Sequence, residues 1–275
     1  TRGSWGTFFG AGHQRDEDGL ALAWSSNRFG AVGGYDIRLD NSYRVGLFAG
    51  GSRGHIETDV RSIKTDTNSG FIGAYGQRIL GGGTLSGSVT VGYESHNSDR
   101  AVFDNLEGDE TADGDYGSFH VNPSLALAWL HKLEDGLEFR PSAQIAYTYG
   151  HYSGYTESGT TNSNLRFDSR SVNIFDSRLQ LALARSFSHG RGEIEWRVGA
   201  TFTYYGDDDV DVSLGGGDSI SYRVPGDETI PAGYMGARLS GAVSDAVNVV
   251  GDVEYHNGTG GTQSILGYLG LRVRF

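Results

Sequence analysis

One feature constrains this chain above all others: apolar and polar side chains alternate residue by residue, in segment after segment. In the last segment Ile265, Gly267, Leu269, Leu271, Val273 and Phe275 fall on one face, and Ser264, Tyr268, Gly270, Arg272 and Arg274 on the other. Successive side chains of an extended strand point to opposite faces, so such a segment is a strand with one oily side and one wet or small side. The same holds for Val247, Val249, Gly251, Val253 and Tyr255 against Asn248, Asp252, Glu254 and His256. It holds again for Ile194, Trp196, Val198, Ala200, Phe202 and Tyr204 against Glu193, Glu195, Arg197, Thr201 and Thr203. Twelve segments of this kind are predicted, near 4–14, 21–39, 43–56, 66–79, 84–96, 117–131, 137–151, 169–187, 192–205, 230–241, 246–257 and 262–275.

The connections between them come in two kinds that alternate. Tight ones carry turn-forming residues at Asp40-Asn41, Gly81-Gly82-Gly83, Glu134-Asp135-Gly136, Ser188-His189-Gly190 and Ser244-Asp245, which suits hairpins. Longer polar stretches lie around 15–20, 57–65, 97–116, 152–168, 206–229 and 258–261. Eleven connections make twelve strands, with both chain ends on the short-turn side. Short periplasmic turns, longer outside loops and an even strand number are how an outer-membrane barrel is built.

A soluble β-sandwich or lipocalin-like barrel also alternates, but it turns its apolar face inward. Here the strands run to about ten residues or more, near the 9–11 that cross a bilayer at a tilt. Aromatics gather at strand ends: Tyr93, Tyr147, Tyr149, Tyr204, Tyr205 and Tyr255 toward the long loops, and Trp5, Trp129, Phe139, Phe187 and Phe275 toward the turns. Two such girdles are expected where rings sit at headgroup level. The fold class is therefore all-β, a 12-stranded antiparallel up-and-down transmembrane β-barrel, and residues 1–275 form a single domain.

Composition narrows the chemistry. There is no cysteine, which removes disulfides, thiolate metal sites and cysteine nucleophiles, and a net charge of −12 argues against a nucleic-acid partner. No apolar run approaches the ~20 residues of a membrane helix. The chain begins at Thr1 without a basic-then-apolar leader, as a processed product or an excised fragment does.

The octet Tyr268-Leu269-Gly270-Leu271-Arg272-Val273-Arg274-Phe275 resembles the β-signal of bacterial outer-membrane proteins, with Tyr268, Gly270, Val273 and Phe275 as its assembly-signal positions. A final strand of this kind can be captured at another sheet's edge through main-chain hydrogen bonds. Trp5-Gly6, Gly33-Gly34-Tyr35-Asp36, Arg44-Val45-Gly46-Leu47-Phe48-Ala49-Gly50 and Gly73-Ala74-Tyr75-Gly76 are similar to successive strands of the autotransporter translocator domain of type V secretion. That resemblance spans essentially the whole chain. It implies a monomeric outer-membrane barrel that is inserted by the barrel-assembly machinery, contacts outer-membrane lipid and lipopolysaccharide, and lets its own N-terminal passenger reach the cell surface. It also implies both termini on the periplasmic side and a helix threaded ahead of the first strand. Only Thr1–Ser4 precede Trp5, so that helix is not expected within this chain.

The polar faces supply pore-lining candidates: Arg38, Arg140, Gln144, Arg178, Glu195, Arg197, Arg238, Asp252, Glu254 and Arg272. Their signs are mixed, which predicts a hydrated bore that holds a peptide without gripping one sequence, or a wall of salt bridges. Gly6, Gly10, Gly12, Gly30, Gly34, Gly92 and Gly199 are expected to face the lumen and leave room there. Three constellations admit other chemistry. His96-Asn97-Ser98 resembles the His-x-Ser of outer-membrane phospholipase, but no orienting partner is identifiable. Asp207-Asp208-Asp209-Val210-Asp211 is acidic but lacks the glycine and closing glutamate of a calcium loop. Glu195, Asp252 and Glu254 are acids within the bore that map to no cleavage site. No catalytic residue, metal or cofactor is assigned. The alternatives to a translocator are a passive channel or porin, and an outer-membrane lipid hydrolase.

Overall fold

The computed structural model describes residues 2–17, 22–58, 63–104, 107–187, 191–206, 209–214, 219–223 and 228–274. Twelve long strands succeed one another: β1 Arg2–Arg15, β2 Trp24–Arg38, β3 Tyr43–Thr58, β4 Ile63–Leu80, β5 Gly83–Asp104, β6 Gly108–Trp129, β7 Leu137–Tyr152, β8 Arg170–Phe187, β9 Gly192–Tyr205, β10 Thr229–Ala242, β11 Val247–Gly258 and β12 Thr262–Arg274. Each pairs antiparallel with the next. β12 then returns to β1, from Gly3 opposite Arg274 to Arg15 opposite Thr262, and closes the ring. Closure leaves no long strand with an open edge.

The ring is inside out compared with a water-soluble barrel. Phe8, Leu47, Ile72, Met235 and Leu269 are each more than half exposed on the outer wall. Among the described residues the buried hydrophobic set is only Val102, Ala112, Ala182, Ala184 and Tyr234. Burying apolar surface is worth about 25 cal/mol per Å² in water, so this arrangement is stable only where the medium outside is itself apolar. No helix among the described residues is long and apolar enough to cross a membrane; the strands supply the crossing.

Turn chemistry follows the local sequence. The Asp40 carboxylate accepts from the backbone N–H groups of Ser42 at 2.6 Å and Tyr43 at 2.8 Å, closing the β2–β3 turn. Gly81 takes the left-handed φ of 60° that the β4–β5 turn requires. Pro123 sits inside β6, where it has no N–H to give its partner strand. The pairing with β7 lapses between Val121–Tyr149 and Ser124–Ala146. There the Asn122 side-chain amide donates to the Tyr147 carbonyl at 3.2 Å and to Thr148 Oγ1 at 2.6 Å, so a side chain replaces the missing ladder bond.

The structure corrects the sequence reading at four places. First, β5 and β6 do not stop at 96 and 117 but pair out to Asp104 opposite Gly108, so the expected long loop is mostly a hairpin. Its Asp and Gly content masked a ladder that extends roughly 30 Å along the strand beyond the expected end. Second, the connections 152–168 and 206–229 carry short strands: Tyr155–Thr156 and Leu165–Phe167 in one, Asp209–Leu214 and Ile220–Arg223 in the other. These form a separate four-stranded sheet. Third, Gly6, Gly10 and Gly12 lie on the outer face with exposed Phe8, not in the lumen. Fourth, for the same reason Trp5 points inward and is no girdle residue. The adjacent pair Phe8-Phe9 gives β1 no alternation from which its facing could be read. Tyr205 likewise keeps the inward register of Thr203, whose hydroxyl bonds the lumenal Asp176. Gly30, Gly34, Gly92 and Gly199 do face the lumen, against the rings of Phe9, Trp5, His120 and Tyr234.

Candidate translocation pore

The inner wall has two chemically distinct sectors. On β7 to β11 it is ionic. Arg140 donates to Glu138 at 2.6 Å, Glu193 at 2.6 Å and Glu195 at 3.0 Å. To reach β9 from β7 its side chain must cross β8, and it crosses where β8 presents Ala182 and Ala184, both about 1% exposed beneath it. One strand pair further on, Arg197 donates to Asp252 at 2.7 Å and to Glu254 at 2.9 Å, and approaches Glu195 at 3.7 Å. It crosses β10 at Gly236, where even a methyl group would come within 2.7 Å of Glu254 and 3.1 Å of the Arg197 guanidinium. Arg178 holds Glu254 at 2.7 Å and lies 4.0 Å over the Tyr234 ring, which stacks on His256. Arg238 completes the set by donating to Asp252 at 2.8 Å.

The opposite sector, on β1 to β4, is aromatic. Trp5, Phe48 and Tyr75 meet with ring centroids 6.2–6.4 Å apart. Each ring lies on a neighbouring strand where glycine leaves room; at Gly34 an added methyl carbon would stand 2.5 Å from the Trp5 ring. Beside them Asp36, 3% exposed, accepts from Tyr75 Oη at 2.8 Å and from Arg272 Nη2 at 2.7 Å, and the Trp5 indole N–H donates to Tyr75 Oη at 2.9 Å.

Of the sequence candidates, Arg140, Arg178, Glu195, Arg197, Arg238, Asp252 and Glu254 are thus brought into one network. Gln144 stands opposite Arg178 and exposed, Arg38 is exposed at the short-turn rim, and Arg272 belongs to the aromatic sector. In the last strand Tyr268 and Gly270 face inward and Val273 outward, while Phe275 lies outside the described residues. The aromatic sector was missed in the sequence because its rings alternate with glycines on a face presumed polar. Charge balance across three strands was equally invisible, since it depends on which small residue lies between two charges.

Toward the long-loop end a cavity of about 350 Å³ opens in the lumen. Arg28 pairs with Glu94 at 2.7 Å across it, and His120, Asn122 and Tyr152 complete its wall. His96 does not pair with Ser98. Its Nδ1 lies 3.0 Å from Thr67 Oγ1 and its Nε2 2.9 Å from Ser118 Oγ, all three residues being buried in the inner wall and away from lipid. Ser98 instead accepts from Thr65, so the sequence motif forms no His–Ser pair. Of the acidic run, Asp207 and Asp208 lie outside the described residues, and no metal-binding cluster is present among those described.

Beyond the ring, the connection 153–169 docks on the inward face of the β5–β6 hairpin. Arg100 grips Glu157 with Nε at 3.0 Å and the Ser163 carbonyl with Nη2 at 2.9 Å, and Asp113 and Ser158 exchange backbone bonds at 2.8 and 2.9 Å. The rings of His96, Tyr116, Tyr155 and Phe167 stack successively at 4.6, 4.6 and 4.7 Å. Burial first, with Tyr116 and Glu157 alongside, pushes the Tyr155 phenol well above its usual range.

A closed ring of twelve amphipathic strands, oily outside and ionic within, defines an outer-membrane β-barrel. The autotransporter beta-domain model matches residues 4–254 of the sequence, and the chain belongs to that family. It is a translocator barrel for passenger export. Among solved structures, the translocator domain of autotransporter NalP from Neisseria meningitidis superposes with a TM-score of 0.81 at 13% identity, covering 100% of this chain and 88% of that one. The beta domain of the Bordetella autotransporter BrkA gives 0.71 at 15% identity, covering 100% and 99%. The transport unit of AIDA-I from Escherichia coli gives 0.63 at 14%, covering 99% and 90%. These three likenesses are likenesses of fold. No curated protein sequence matches.

Proposed function

We propose that residues 1–275 act as one domain, seated as a monomer with the short turns and both chain ends toward the periplasm, through whose lumen the passenger passes to the cell surface. The observation that carries this reading is the state of the inner wall. Apart from Arg38 at the rim, the charges named above are paired with each other across strands, so a passing polypeptide meets a hydrated surface with little free charge to arrest it. Arg38, Arg140, Gln144, Arg178, Glu195, Arg197, Arg238, Asp252, Glu254 and Arg272 are then the wall this polypeptide slides along. Tyr268, Gly270, Val273 and Phe275 are the strand by which the barrel-assembly machinery takes hold of the chain, and the outer wall contacts lipid and lipopolysaccharide. The barrel performs no chemistry of its own.

The cysteine-free sequence makes the test clean. A passenger fused upstream and stalled during export should cross-link through Gln144→Cys, which faces the lumen, and not through Leu181→Cys on the outer wall. Surface display with neither cross-link formed overturns the lumenal route. Steady conductance in planar bilayers, with no dependence of display on the barrel, would favour a passive channel instead.

A further inference from the structure

We propose that Asp36, with Arg272 and Tyr75, forms a lock on the seam where the last strand meets the first, and that this lock sets how readily the ring re-opens there. The seam is unequal on its two faces. Outside, β1 offers Gly6, Gly10 and Gly12 to Leu271, Gly267 and Ile265 of β12. A methyl group at Gly6 or Gly10 would find only a β2 carbonyl oxygen, at 3.9 or 3.8 Å. A depression of about 650 Å³ follows, lined by Phe8, Ala31, Gly33, Val249 and Leu269. Between Gly6 and Gly12 on that face, only Phe8, opposite Leu269, sets a side chain of β1 against one of β12.

Inside, the situation is reversed. Arg272 leaves β12, passes over β1 at Gly3, where a methyl carbon would lie 3.7 Å from its guanidinium, and reaches Asp36 on β2. Both Asp36 oxygens receive Arg272 Nη2 at 2.7 Å. Tyr75 of β4 and Trp5 of β1 extend the chain of hydrogen bonds, so β12, β1, β2 and β4 are tied at one point. Asp36 and Arg272 are 236 residues apart, and they can meet only when the ring closes. Arg44, at 3.8 Å, is the nearer-in-sequence cation but sits too far to replace the hydrogen bond. A carboxylate this buried loses its hydrogen-bonded cation whenever β12 withdraws, leaving only Arg44 at 3.8 Å, and that penalty opposes withdrawal.

The test compares amide exchange around the ring in the detergent-refolded chain, with and without a covalent seam. Ala11→Cys and Leu266→Cys, directly opposed across the seam, supply the bridge in a protein with no other thiol. Asp36→Asn is expected to speed exchange in β1 and β12 about tenfold, as loss of a charge-assisted hydrogen bond does. Exchange in β6 and β7 should not change, and the disulfide should abolish the effect. Arg272→Gln should behave alike, and the two together should add nothing. Acceleration spread evenly around the ring, or persisting in the bridged protein, overturns the lock and makes Asp36 an ordinary wall residue. Arg272→Gln, read alone with and without the disulfide, gives the same comparison should Asp36→Asn not refold.

Discussion

Replacing Arg197 with methionine should cost the barrel about 3 kcal/mol, near the low end of the 3–5 kcal/mol lost when one partner of a buried ion pair is removed. The geometry supplies the reasoning. Arg197 is 3% exposed, and its two terminal nitrogens serve Asp252 and Glu254. The connected group holds Glu138, Glu193, Glu195, Asp252 and Glu254 against Arg140, Arg178, Arg197 and Arg238, five negative charges against four positive. Methionine leaves five against three, with the stranded carboxylates side by side on β11. The loss falls short of the upper figure because Arg238 still holds Asp252 and Arg178 still holds Glu254, at 2.8 and 2.7 Å. The measurement is a urea unfolding titration of the chain refolded into lipid vesicles, read by the shift in midpoint at constant slope. Arg38→Met, at the exposed rim, serves as control and should shift stability by less than about 0.5 kcal/mol. Adding Asp252→Asn to Arg197→Met should recover part of the loss, since one uncompensated charge is then gone. If Arg197→Met costs no more than Arg38→Met, the network is a surface decoration of a water-filled tube and the pairing argument fails.

Three further outcomes are expected. Arg in place of Val249, on the outer wall, should destabilise by ~2–4 kcal/mol in lipid, whereas Arg at the inward Thr201 should cost little; equal penalties in lipid refolding titrations would contradict the facing of β9 and β11. Asn122→Ala should cost about 0.5–1.5 kcal/mol, because the Tyr147 carbonyl beside Pro123 then lacks its protein donor, and unchanged stability would mean that water serves it equally well. Deleting Phe275 should lower assembly yield in cells more than it lowers stability of the refolded chain in detergent, and the opposite ordering would remove its part in targeting.

Much of this protein was legible as pattern. Alternation placed twelve strands, and turn residues such as Asp40-Asn41 and Gly81-Gly82 fixed which connections were short. Legibility failed where pattern was degenerate. Phe8-Phe9 could point either way, and choosing wrongly put three glycines on the wrong wall and Trp5 in a girdle it does not join. The acidic 97–116 stretch reads as loop by composition, yet it pairs as a hairpin because a neighbouring strand and the docked 153–169 segment are there to receive it.

The sequence by itself determined that the chain makes two-faced strands, that their number is even, and that greasy residues occupy one face throughout, because strand periodicity is a local property of the backbone. Only the tertiary structure decided which charges neutralise each other. Arg140 meets Glu195 across Ala182 and Ala184, Arg197 meets Asp252 across Gly236, and Arg272 meets Asp36 across Gly3. Each pairing skips a strand, and so depends on the register of two neighbouring ladders with a small residue between, and the pairing of Arg272 with Asp36 further requires that the ring has closed.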